Sequence, residues 1–286
     1  MHSVSFDIAG HGVVLNLKDA SLMEQLVNLA PFVAGKVTPV FTLTQVGAVP
    51  ETPDEILLEN REPGFPRISI GRLGDGWFME MAPLPDLPTA ARMVAKDDFS
   101  EAEFQILSSP AFAVNNSMML LFAMRTAPLG TLEVHASTIM NDGKGYLFLA
   151  PSGTGKSTHS QQWLKYIPGS ELLNDDNPIV RLLPDGSVRV YGSPWSGKTP
   201  CYKKMDVPAG AFVRIRRAPE NKITRLSVLE SYASLYSSCS AFRPVKTIAD
   251  GLHATISTIV GKVPCYVLDC LPDRGAAETC YNEVHG

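Results

Sequence analysis

Two stretches of this sequence end in Gly-Lys and a hydroxyl residue, the residue types that hold a phosphate chain. The first is Ala150-Pro151-Ser152-Gly153-Thr154-Gly155-Lys156-Ser157, and the second is Gly192-Ser193-Pro194-Trp195-Ser196-Gly197-Lys198-Thr199. Phosphate binding needs a strand that delivers a loop, small residues whose backbone N–H groups converge on anionic oxygens, and a helix that starts at the lysine. The first stretch has all three. Apolar residues 146–150 precede it, and after it Ser160, Trp163, Leu164 and Ile167 recur at helical spacing. The second fits the spacing more literally, but Pro200 follows at once and no apolar stripe comes after it. Nucleotide binding is therefore expected at Ser152, Gly153, Thr154, Gly155, Lys156, Ser157 and Thr158. The Lys156 amine would reach the β/γ-phosphates of ATP and the Ser157 hydroxyl would ligate Mg²⁺. The second stretch reads as either a substrate loop, charged by Lys198, or an ordinary surface turn.

Chemistry on a bound nucleotide needs a metal ligand and a base. Asp175 and Asp176 follow the short apolar run Leu172-Leu173, nineteen residues after Lys156. One carboxylate would hold Mg²⁺ beside Ser157, and the other would take a proton from an attacking hydroxyl. Two carboxylates so close repel, and a bound cation relieves that repulsion. Asn-Asp-Asp-Asn-Pro is also good turn chemistry; the nearby loop favours the functional reading. His135 lies twenty-one residues before Lys156, in an alternating run that leads into the loop strand. Strict alternation places it on one face with Glu133, Ser137 and Ile139, a face suited to a polar pocket. There it would stabilise charge on the γ-phosphoryl or orient the acceptor.

These residues need elements to position them. From about residue 100 the pattern is α/β. Asn115-Asn116-Ser117 reads as the cap of a helix over 118–124, stopped by Pro128 and Gly130. Asn141-Asp142-Gly143 is a hairpin turn between strands over 131–140 and 146–150. Residues 171–173 read as a strand beside the loop strand. Ser227-Val228-Leu229-Glu230 has the form of a capping box. Ile248, Leu252, Ile256 and Ile259 make a helical stripe, and 263–268 returns as a strand. A hairpin directly before the glycine-rich loop predicts a mixed sheet. The first 95 or so residues read as short strands, with Val4, Phe6 and Ile8 alternating with polar residues. They end near Pro83, Pro85 and Pro88, a proline density that suits a linker or a long loop. The expected division is a β-rich domain at 1–98 and a nucleotide-binding core at 99–286.

Composition excludes several classes. With 45% hydrophobic and 19% charged residues the 286-residue chain holds ample core, which excludes disorder as the dominant state. A net charge of −4 argues against a protein held on nucleic-acid phosphates. No apolar run approaches the ~20 residues of a membrane span. No basic segment leads an apolar stretch at the start, so a cytoplasmic protein is expected. The five cysteines are scattered and form no C-x-x-C pair, which suits buried thiols rather than disulfides or zinc. Nothing in the sequence argues against a homo-oligomer.

The loop at 152–157, the Asp175-Asp176 pair and the preceding His135 together resemble the kinase core shared by HPr kinase/phosphorylase and the ATP-dependent phosphoenolpyruvate carboxykinases. The resemblance covers roughly residues 110–270. It implies the mixed-sheet P-loop fold of that superfamily, with ATP on the loop and the paired aspartates in metal binding and proton abstraction. It also implies a histidine near the transferred phosphoryl group. Arg243, in Phe242-Arg243-Pro244, is similar to an Arg-Pro segment of the kinase branch and, like Lys198, is a candidate substrate residue. The Glu-x-Arg-Gly-x-Gly signature of that branch has no counterpart; the nearest stretch is Arg189-Val190-Tyr191-Gly192-Ser193-Pro194. The leading expectation is an ATP- and Mg²⁺-dependent phosphotransferase acting on a hydroxyl of a small molecule or protein. One alternative is a compact carboxykinase-type lyase with an anion clamp from Lys198, Arg214 or Arg243. The other is a non-catalytic nucleotide-binding module.

Overall fold

In residues 11–17 buried and half-covered side chains alternate without a break, with Val13, Leu15 and Leu17 inside, as in a strand with one face on a core. The computed structural model describes residues 1–197 and 199–285. It is a mixed α/β fold with two mixed sheets, and its contacts divide the chain into units of residues 1–126 and 127–286.

The first unit contains β1 (His2–Ile8), β2 (His11–Leu17), β3 (Val33–Ala34), β4 (Pro39–Gln45), β5 (Glu55–Asn60), β6 (Arg67–Leu73), β7 (Gly76–Ala82), β8 (Ala91–Ala95) and β9 (Glu101–Ile106). They form one sheet in the order β3-β1-β2-β4-β9-β8-β7-β6-β5. β2–β4 and β4–β9 are parallel and the rest antiparallel. Helix α1 (Pro110–Thr126) buries Val114, Met118, Leu121 and Phe122. The division falls at 126/127 rather than at 98/99, because β9 sits between β4 and β8 and α1 packs on those same strands. The proline-rich stretch at 83–88 is accordingly a loop joining neighbours β7 and β8. Asn115 and Asn116 do not cap α1. They lie inside it, their amides donating to the carbonyls of Ala111 and Phe112 one turn back.

The second unit contains β10 (Thr131–Val134), β11 (Ala136–Asn141), β12 (Lys144–Leu149), β13 (Glu171–Asp176), β14 (Ile179–Leu182), β15 (Val188–Tyr191), β16 (Asp206–Arg217), β17 (Lys222–Arg225), β18 (Cys239–Ser240) and β19 (Cys265–Cys270). β12 pairs antiparallel with β11 and parallel with β16, and β16 pairs parallel with β19. The β11–β12 turn is the expected hairpin, with Asp142 (φ 47°) and Gly143 (φ 73°) both left-handed. β12 is buried on both faces. Leu147 and Leu149 join a cluster with Phe212, Leu252, Ile256 and Ile259, while Tyr146, Phe148 and Ala150 join one with Trp163, Val213 and Leu268. Helices α3 (Val228–Tyr236) and α4 (Lys246–Ile259) supply the first cluster; α2 (Lys156–Tyr166) and α5 (Arg274–His285) supply the second. Ser227 and Glu230 form the expected capping box on α3. Among the described residues no helix is long and apolar enough to cross a membrane.

Trp163 is fully buried between Phe148, Tyr146 and Tyr281 and ties α2 to the sheet. Trp163→Ala should cost about 3–5 kcal/mol in a denaturant titration. A loss under ~1 kcal/mol would show that α2 is held from elsewhere.

Candidate functional site

β12 leads through residues 150–155 into α2, whose first residue is Lys156. The chain turns at Gly153 (φ +74°) and Gly155 (φ +130°). A Cβ on either would touch no other protein atom, so the backbone conformation alone requires glycine. Ser152, Gly153, Ser157 and Thr158 are exposed, and Thr154 and Gly155 partly covered. Arg217, at the end of β16, donates from Nε to the Thr154 carbonyl at 2.9 Å and from its other arm to the Gly153 carbonyl. A cavity of about 300 Å³ flanks the loop, lined by Thr154, Gly155, Thr158, Ile215, Arg217 and Cys270. His159 borders the same cavity from α2 and is almost fully buried. It accepts from the Trp163 indole at 3.1 Å, and burial pushes its pKa down to about 3, so it is a neutral packing residue.

Lys156 is 9% exposed, and its amine donates to the Ala150 carbonyl at 3.0 Å and to His135 Nε2 at 2.9 Å. The same Nε2 lies 3.3 Å from Oδ1 of Asp176. An ammonium only donates, so Nε2 accepts when it meets Lys156 and the ring proton sits on Nδ1. A protonated ring pairs with Asp176 instead. One imidazole therefore chooses between the amine and the carboxylate. Burial pushes the Lys156 pKa below the usual lysine range, and Asp176 and Asp175 pull it partly back.

His135 reaches this point from a break between two strands. It lies in neither strand: β10 ends at Val134, β11 starts at Ala136, and the His135 N–H donates to the Ser238 carbonyl at 2.7 Å. β10 pairs with β14 and β18, whereas β11 pairs with β12 and β13. The expected row continues across the break: Leu132, Val134, Ala136 and Met140 share one cluster, while Ser137 and Ile139 lie on the α2 side, where His135 meets Lys156. The expected polar face is not one: Ile139 is core, and Ser137 shares a 2.6 Å hydrogen bond with Ser160 of α2.

β13 pairs with β11 rather than with the loop strand. Register still brings the acidic pair alongside the loop, because Ala136 lies opposite Asp176 on one side and Leu149 on the other. Asp176 is half-exposed. Asp175 is 4% exposed, and among the described residues neither of its carboxylate oxygens has a hydrogen-bond partner. A buried carboxylate without a partner suits a cation ligand. Among the described residues no three His, Cys, Asp or Glu side chains converge to hold a metal by themselves. The described residues of the second glycine-rich stretch start no helix; the Gly197 N–H donates to the Asp175 carbonyl at 2.9 Å and Ser196 bridges to Asp176. Lys198 lies outside the described residues.

The structure thus brings Lys156, His135 and Asp176 together, with Asp175 adjacent. Arg243 is otherwise engaged. It donates to the Tyr236 and Cys239 carbonyls and stacks on the Tyr236 ring, bracing the end of α3. Arg214 holds the same turn through Ser234, Ser237 and Ser238. Sequence reasoning missed Arg217, more than sixty residues from the loop it holds, and gave Glu133 no role of its own. The first unit carries a larger cavity, about 670 Å³, whose lining includes Thr42, Thr44, Lys96, Glu101 and Glu103 and none of the candidate residues. No family model matches the sequence, and no curated protein matches it.

Glu133 is 2% exposed, and burial, with Asp176 adding to it, pushes its pKa up to about 8. Between the ordinary glutamate range and pH 8 the folded chain holds a proton that the unfolded chain has lost. Stability must therefore fall as pH rises through that window. Glu133→Gln removes the dependence. Relative to wild type the variant should gain on the order of 1–3 kcal/mol between pH 5 and pH 8. Parallel stability curves for the two proteins would contradict the raised pKa.

Proposed function

We propose that the second unit is an ATP- and Mg²⁺-dependent phosphotransferase acting on a hydroxyl acceptor, with a P-loop core of the kind found in HPr kinases and ATP-dependent carboxykinases. The observation that carries this reading is the convergence on His135 Nε2 of Lys156, at the loop–helix junction, and Asp176. The strand–loop–helix setting supports residues 152–158 as the phosphate cradle, with the α2 N-terminus favouring negative charge. The cavity beside Thr154 and Arg217 is where the nucleoside would lie. Asp175, with Asp176 and Ser157, would hold Mg²⁺, which supplies charge neutralisation on the phosphates. Magnesium is commonly held by one or two side chains plus phosphates and water, so it needs no protein cage. Lys156 would carry the β/γ-phosphates once its amine leaves His135. The freed His135 would orient or stabilise the γ-phosphoryl. Asp176, the more exposed carboxylate, would accept the acceptor's proton. The lyase alternative gains no support, because Arg214 and Arg243 are engaged with α3 and its turn.

The test is ATP binding and turnover. Lys156→Ala should weaken ATP affinity by at least about tenfold, and Lys198→Ala should leave it within a few-fold; the reverse order would move the nucleotide to the other loop. Asp175→Asn and Asp176→Asn should each fold normally and lose about 10²–10⁴ in rate. His135→Ala should lower kcat more than it weakens ATP binding. Wild-type rates in all three variants would remove them from the chemistry.

A further inference from the structure

Asn174 precedes the acidic pair on β13 and is fully buried. Its side chain is engaged at both ends. Oδ1 accepts from the N–H groups of Asp176 at 3.0 Å and Asn177 at 2.9 Å, which turns the chain as the strand ends. Nδ2 donates to Ser193 Oγ at 3.2 Å and to the Trp195 carbonyl at 3.1 Å. Ser193, also fully buried, passes the connection on, donating to the Asn177 carbonyl at 2.6 Å and accepting from the Trp195 N–H at 3.1 Å. The segment then closes on the pair itself through the Gly197 N–H and the Asp175 carbonyl.

The approach is as close as backbone allows. A Cβ on Gly197 would stand 2.7 Å from the Asp175 carbonyl oxygen, and one on Gly192 would stand 2.1 Å from the Lys203 carbonyl oxygen. Both glycines of the second Gly-Lys-Thr stretch therefore have a packing reason, and their phosphate-loop spacing is incidental to it. Asp175 needs such a support. Its carboxylate has no hydrogen-bond partner among the described residues, which leaves the backbone on either side to aim it.

We propose that Asn174 is the positioning residue of the acidic pair, fixing the aim of Asp175 and Asp176 by clamping residues 193–197 onto the end of β13. The proposal rests on the phosphotransfer reading. Asn174→Asp keeps size and the Oδ1 acceptor but removes both amide donors. It should lower kcat for ATP hydrolysis about tenfold or more and raise the Mg²⁺ concentration for half-maximal rate several-fold. ADP affinity in EDTA should stay within about threefold of wild type. Amide hydrogen exchange should rise in peptides covering 171–178 and 190–200 and nowhere else. Ser193→Ala removes the same clamp from its other side, and it should show the same pattern more weakly, which keeps the test decisive should Asn174→Asp fail to fold. Wild-type kcat and Mg²⁺ requirement in the folded variants, or faster exchange spread over the whole second unit, would overturn the inference. A wild-type protein that binds no ATP in the presence of Mg²⁺ would overturn the phosphotransfer reading and this inference with it. An active wild type with unchanged variants would overturn this inference alone.

Discussion

A lysine amine held almost out of water needs hydrogen-bond acceptors beside it, and the second unit is arranged around that requirement. Lys156 turns back under its own loop to the Ala150 carbonyl and across to His135. Burial lowers its pKa while the two aspartates oppose the shift, so the amine is held by neighbours that a phosphate chain could replace. Such a pre-placed cation at a helix N-terminus, with a neutral hydrogen-bond partner that can be released, is chemically suited to exchange one anionic environment for another.

The remaining elements follow from placing three groups around that amine. β12 must be buried on both faces to present the loop rigidly, and it is covered by α2 and α5 on one side and α3 and α4 on the other. β11 must lie between the loop strand and the acidic strand, so that the row Asp176–Ala136–Leu149 crosses the sheet at the loop's base. The break between β10 and β11 then delivers His135 at that height, anchored by the Ser238 carbonyl. Arg214, bonded to Ser234 and Ser238, steadies this anchor from β16. Glu133, two residues back and nearly without solvent contact, is kept protonated near neutral pH and so does not add a third negative charge beside Asp176.

What the sequence made legible was what lies close together along it. The loop, its helix, the hairpin before it and the adjacent aspartates are each contiguous, and local chemistry is enough to find them. The setting of His135 was only half legible. Its proximity to the loop follows from the hairpin and its face from alternation, but the break between β10 and β11 and the anchor on the Ser238 carbonyl depend on a change of strand partners that local pattern does not express. The boundary of the first unit was hidden for a related reason. A short strand such as β9 fits either neighbour by local pattern, and only pairing with β4 and β8 assigns it. Asn115 and Asn116 misled because an asparagine that bonds back within a helix has the same sequence signature as one that caps it. Arg217 on the loop carbonyls and Asn174 on Ser193 are contacts across folded distance, and no spacing rule reaches them.

If Lys156 exchanges His135 for phosphate, as proposed above, a crystal structure with ADP and Mg²⁺ will show the exchange. The β-phosphate should then lie within hydrogen-bond distance of the backbone N–H groups at 153–157 and of the Lys156 amine, with that amine withdrawn from His135 Nε2. Nucleotide seated against residues 192–199, or a Lys156–His135 contact unchanged in crystals grown at saturating ADP, would contradict it.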